Sequence, residues 1–140
     1  MTIGIDGFSG VGKTPTAQFL ANELRAKLIH LDPFFVRDGR FAESFKVADF
    51  RRELDGASGP RLTIIEGILL ADILSKAERA LDCSIYVKRI GRGHLWYDRN
   101  KLERNPEELS KLDQAIVAYH HRVKPHETSA IILELEERPA

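Results

Sequence analysis

An α/β fold, with a parallel sheet covered by helices on both faces, is the architecture that the sequence predicts, on three observations. Short apolar, β-branched runs alternate with stretches of helical periodicity along all 140 residues. A glycine-rich loop joins the first such run directly to the first helix. No internal repeat or low-complexity segment breaks the alternation. The length fits one domain spanning residues 1–140.

The elements follow in order. Thr2–Asp6 opens the chain as a strand and runs straight into the loop. Ala17, Leu20, Ala21, Leu24 and Leu28 recur at helical spacing, which predicts a helix from residue 13 to about 27. Residues 28–31 form the second strand, stopped by Asp32-Pro33 because proline disfavours helix in the residue before it. Val47, Phe50 and Leu54 predict a short amphipathic helix, and residues 55–60 a turn cluster. Residues 62–65 make the third strand, ending at Glu66-Gly67. A helix over 68 to about 80 and a strand over 84–87 come next. Asn105-Pro106-Glu107-Glu108 reads as a helix start, with Asn as cap, proline at the first position and Glu108 answering the cap. Leu109, Leu112, Ile116 and Tyr119 mark that helix's apolar face, and residues 130–135 are the last strand.

Composition excludes several classes. Lys plus Arg and Asp plus Glu each number 21, so the formal net charge is zero, whereas a nucleic-acid binder carries a positive excess. The longest apolar runs, such as 68–71, are too short to cross a bilayer. The first residues lack the basic start and apolar centre of a signal peptide. One cysteine, Cys83, cannot form an internal disulfide and suits a reducing compartment. The expectation is a cytoplasmic protein acting on a small molecule, with no nucleic-acid or membrane partner. Nothing in the sequence distinguishes a monomer from a homo-oligomer.

Gly7-Phe8-Ser9-Gly10-Val11-Gly12-Lys13-Thr14 matches G-x-x-x-x-G-K-[ST] in full. Glycines let successive backbone N–H groups turn inward around the phosphates of a nucleotide, and the following helix aims its free N–H groups at the same anion. Lys13 can reach the β- and γ-phosphates, and the Thr14 hydroxyl can hold Mg²⁺. The alternative is a chance glycine-rich turn, which the strand–loop–helix context opposes. Pro15 removes only an N–H that has no intrahelical partner, so the helix survives with some strain expected at Thr14.

Ligands bind at the carboxyl ends of the strands in such sheets. Asp32 follows the second strand and Glu66 ends the third, so both are expected beside the loop. Asp32 suits a base on a substrate hydroxyl, and Glu66 suits the metal shell, directly or through water. The bland readings are a turn start for Asp32-Pro33 and a strand-ending turn for Glu66-Gly67. Phe34 and Phe35 are candidates to line a substrate pocket, or else pack locally. Lys88, Arg89, Arg92, Arg99, Lys101 and Arg104 form a basic stretch that could fold over the nucleotide; a solvated helix face is the alternative. Arg92 and Arg99 are the preferred pair. Asn100-Lys101-Leu102-Glu103 is not a guanine-reading N-K-x-D, since glutamate stands where aspartate is required. The histidines show no metal-ligand spacing, and Cys83 reads as a core residue.

These residues together resemble the uridine kinase-like branch of P-loop kinases. The resemblance rests on Gly7 to Thr14, Leu31-Asp32-Pro33-Phe34-Phe35, Ile64-Ile65-Glu66-Gly67-Ile68-Leu69, and Val123-Lys124-Pro125 before Ser129-Ala130-Ile131-Ile132. It implies a P-loop NTPase αβα sandwich with a five-stranded parallel sheet. It also implies ATP and Mg²⁺ as cofactors, Asp32 as proton acceptor, Glu66 as a metal helper and a lid of arginines after the fourth strand. The chain departs from the pattern in its short 33–61 segment, in Phe35 where tyrosine is usual, and in a lid with fewer arginines. Phosphoryl transfer from ATP to a hydroxyl of a small metabolite, a nucleoside or related compound, is the expected activity. The alternative is a non-catalytic, ATP-binding regulatory module.

Overall fold

The structure is a computed structural model that describes residues 1–56 and 61–136. Five strands, β1 (Thr2–Asp6), β2 (Lys27–His30), β3 (Thr63–Glu66), β4 (Cys83–Ile90) and β5 (Ile131–Glu136), form one all-parallel sheet in the order β2-β3-β1-β4-β5. The helices are α1 (Lys13–Leu24), α2 (Val47–Leu54), α3 (Leu70–Ala77), α4 (Arg99–Glu103), α5 (Lys111–Val123) and α6 (Pro125–Thr128).

Strand alternation decides which helix each residue meets. Ile5, Ile64 and Ile85 share one face and pack with Ala17 and Ala21 of α1. Ile29 and Ile65 point to the other face, where they meet Leu70, Ile73 and Leu74 of α3 and Phe50 of α2. Each of the buried isoleucine, leucine and phenylalanine side chains among these contributes roughly 1.5–3 kcal/mol of transfer free energy. The α5 helix joins the second face, with His120 reaching Tyr86 of β4 and Tyr119 reaching Asp6 of β1. The result is the expected three-layer αβα sandwich. Among the described residues no helix is long and apolar enough to cross a membrane.

Several boundaries differ from the sequence expectation. Helix α1 stops at Leu24 instead of about 27, because Arg25 turns left-handed and both it and Ala26 bond back to the Ala21 carbonyl. Lys27 is thereby released into β2. Helix α3 is shorter than 68–80, flanked by left-handed Leu69 and Glu78. Strand β4 is longer than 84–87, since it pairs with β5 from Ile85 to Ile90. The helix start at Asn105 is a correction. Residues 106–108 make only a single tight turn, Leu109 is extended and buried, and the helix begins at Lys111, where the Ser110 hydroxyl accepts the Asp113 N–H at 3.1 Å. Of the turn cluster at 55–60, residues 57–60 lie outside the described residues.

Candidate active site

The sheet order places three carboxyl ends side by side: β2, β3 and β1 are neighbours, and the segments leaving them carry Asp32, Glu66 and the glycine loop. A cavity of about 750 Å³ opens there. Ser9, Gly10, Lys13, Thr14, Asp32, Phe35 and Glu66 all line it, so residues far apart in sequence meet at one place.

The loop is fixed from below. Phe8 and Val11 turn their side chains into the core, where they hold the backbone and leave Ser9 and Gly10 exposed. Gly7 must be glycine: its φ is +154° and an added Cβ would stand 2.8 Å from the Val87 carbonyl oxygen. Its N–H donates to Asp6 Oδ1 at 2.8 Å, and the Tyr119 hydroxyl donates to Asp6 Oδ2 at 2.5 Å. Burial pushes the Asp6 carboxyl up to about 6, against the pull of Tyr119, Gly7 and Lys13. Gly12 precedes α1, whose first turn carries Lys13, Thr14 and Pro15, and the helix runs through the proline unbroken.

Lys13 is 7% exposed. Its Nζ donates to the Gly7 carbonyl at 3.2 Å and to the Phe8 carbonyl. Burial lowers its pKa, and Asp6, Glu66 and Asp98 oppose that shift. Glu66 is 4% exposed and held from two sides. The Thr14 hydroxyl donates to Glu66 Oε1 at 3.1 Å, and His30 Nδ1 lies 2.6 Å from the same oxygen. His30 reaches it because the β2–β3 register pairs these two residues on one face. Gly67 then turns the chain with a φ of +159°, and a Cβ there would meet Leu31 Cβ at 2.6 Å.

Asp32 begins the tight turn Asp32–Phe34 after β2. Phe35 lines the cavity, but Phe34 packs on Phe45 and Phe50, at ring distances of 5.9 and 5.8 Å, and does not. Arg92 and Arg99 also stand outside the lining, both exposed, with Arg99 near Glu103 at 3.9 Å. The reason is local. Gly91 N–H bonds to the Leu95 carbonyl and Tyr97 N–H to the Arg89 carbonyl, which folds this segment back along β4. Trp96 thereby packs on Phe8 and Tyr86, under the loop instead of over it.

Sequence reasoning missed four contributors: Asp6, His30, Arg37 and Phe41. Asp6 carries a signal, an acid ending an apolar strand, whereas His30 needs the strand register and the other two need the path of the 36–46 loop. Mg²⁺ and a nucleoside triphosphate fit the donor set. Among the described residues no group of three His, Cys, Asp or Glu could hold a metal alone. The Thr14 and Glu66 oxygens instead offer one edge of a shell, which suits a cation that takes its other ligands from phosphates and water. Beside that edge, a Cβ added at Gly10 would meet nothing within 4 Å, so the loop backbone is open to an anion.

No protein-family model and no curated protein matches the chain. Solved structures do match. A structure described as a possible uridine kinase from Bacillus stearothermophilus aligns with 95% of this chain and 88% of its own length, at 17% identity and a TM-score of 0.61. Shikimate kinase from Bacteroides thetaiotaomicron covers 96% and 85%, at 16% identity and a TM-score of 0.50. A sugar kinase from Janibacter sp. covers 99% and 86%, at 17% identity and a TM-score of 0.50. The chain has the α/β fold that these small-molecule kinases share.

Proposed function

We propose that this protein is an ATP-dependent phosphotransferase that places the γ-phosphoryl group on a hydroxyl of a small metabolite, with nucleosides and related compounds as the first candidates. One observation carries the reading: a single cavity gathers Ser9, Gly10, Lys13 and Thr14 of the loop with Asp32 and Glu66. The loop amides and the start of α1 bind the phosphates. Lys13 neutralises charge on the β- and γ-phosphates by exchanging its carbonyl partners for them. Thr14 and Glu66 hold Mg²⁺, Glu66 directly or through water, and His30 keeps the Glu66 carboxylate turned toward Thr14. When bound, Mg·ATP supplies the phosphoryl group and the charge compensation for its transfer. Asp32 accepts the proton that the attacking hydroxyl loses. A part for Arg92 or Arg99 requires the 91–104 segment to swing toward the loop.

The position of Arg92 and Arg99 favours a second reading, a module that binds ATP without turnover. A coupled assay over nucleosides, vitamins and sugars, run beside ATP binding, separates the two. Lys13→Ala should abolish ATP binding and turnover. Asp32→Asn should bind ATP as the parent does and lose turnover by about 10²–10⁴-fold. Full turnover in Asp32→Asn removes the base from the mechanism, and binding with no turnover on any acceptor favours the module.

A further inference from the structure

One wall of the cavity carries an exposed cation with no protein partner among the described residues. Arg37 stands on the loop after the Asp32–Phe34 turn and lines the cavity with Asp32, Phe35, Val36, Gly39 and Phe41. Its neighbour Asp38 is consumed elsewhere: Oδ1 accepts from Arg40 N at 2.9 Å and Ser44 Oγ at 2.8 Å, and Oδ2 accepts from Arg40 Nε at 3.0 Å. Among the described residues, neither the Arg37 guanidinium nor the Asp32 carboxylate has a hydrogen-bond or ion-pair partner. The other two charges in the cavity are engaged, Lys13 by loop carbonyls and Glu66 by Thr14 and His30. Two opposite charges that line one cavity and do not bridge each other present separate poles to a shared occupant.

We propose that Arg37 is an anion subsite, and that the acceptor carries a carboxylate or phosphate in addition to the hydroxyl that faces Asp32. This rests on the reading of the cavity as the acceptor side of a phosphotransferase. The planar guanidinium matches either anion with two parallel hydrogen bonds. Phe35, Val36 and Phe41 supply apolar walls, so the charge is the polar handle on this side of the cavity. A neutral nucleoside leaves Arg37 to solvent, so among nucleosides and related compounds the subsite selects those that carry an anionic group.

Calorimetric titration with matched pairs, without ATP or Mg²⁺, tests this: D-gluconate against sorbitol, and ribose 5-phosphate against ribose. At least one anion should bind about tenfold or more tightly than its neutral partner. The pair that shows the preference identifies carboxylate or phosphate as the handle. Arg37→Ala should erase the preference, and Arg37→Lys should keep part of it, since charge remains without the fork. Equal affinities within both pairs, or no binding of either anion at millimolar concentration, overturn the proposal. A preference that survives Arg37→Ala places the anion in the phosphate loop and overturns it as well. Loss of Mg·ATP binding with an intact Arg37-dependent preference would sink the kinase reading and leave the subsite standing.

Discussion

Asp6 and His120 sit beneath the phosphate loop and pull acid stability in opposite directions. Asp6 holds the Gly7 amide, and His120 stacks on Phe8 with ring centres 4.2 Å apart. Burial raises Asp6 from 3.8 to about 6, so the folded chain binds the extra proton between about pH 4 and 6, and this group's contribution falls as pH rises through that window. Burial lowers His120 from 6.5 to about 4, so its contribution is present above 6.5 and lost as pH falls toward 4. Each slope reaches about 1.4 kcal/mol per pH unit at most. Thermal melts from pH 6.5 to 4 should therefore separate two variants. Relative to the parent, His120→Phe should gain stability as pH falls, and Asp6→Asn should lose it. Parallel melting profiles for all three proteins would contradict these assignments. The same scale shows what a sequence reveals of a site. Lys13 and Thr14 are legible because the loop motif fixes them, Glu66 because it ends a strand, and Asp32 because it opens the turn that follows one. His30 and Arg37 are not, since each depends on a neighbour that only the folded chain supplies.

At the scale of elements, all five strands and the helices α1, α2, α3 and α5 were legible from apolar periodicity; β1 and α2 have the expected ends, while the ends of α1, α3, β4 and α5 were not legible. Arg25, Glu78 and Lys124 close their helices in the left-handed conformation that usually signals glycine, so no residue type announces the stop. The α5 start shows the reverse case, a strong signal that the fold does not use. Asn105 makes no capping bond, because the extended Leu109 drops into the core and the helix restarts behind Ser110. Ser110→Ala should then cost about 1 kcal/mol in denaturant unfolding, whereas Asn105→Ala should stay within about 0.5 kcal/mol. The opposite ranking would restore the helix start at Asn105. The short helix α4 and the fold-back of residues 91–97 were not legible, since they follow from backbone bonds between Gly91 and Leu95 and between Arg89 and Tyr97 that no pattern encodes.

For the whole molecule, strand order converts a list of motifs into a site. Apolar alternation predicts a parallel sheet but not which strands adjoin. The order β2-β3-β1 puts Asp32 and Glu66 on the same side of the loop, and β4 adjoins β1 on its other side. Arg92 and Arg99, expected as a lid, stand outside the cavity lining because the segment after β4 folds back along that strand. The roles proposed for the acids, Asp32 and Glu66, depend on the loop between Gly7 and Thr14 holding a triphosphate. Isothermal titration of the parent protein and Lys13→Ala with Mg·ATP tests this most directly. The parent should bind with a stoichiometry of about one, for a single phosphate loop, and Lys13→Ala should show no measurable binding. An undetectable heat with the parent, or equal affinity in both proteins, would contradict it.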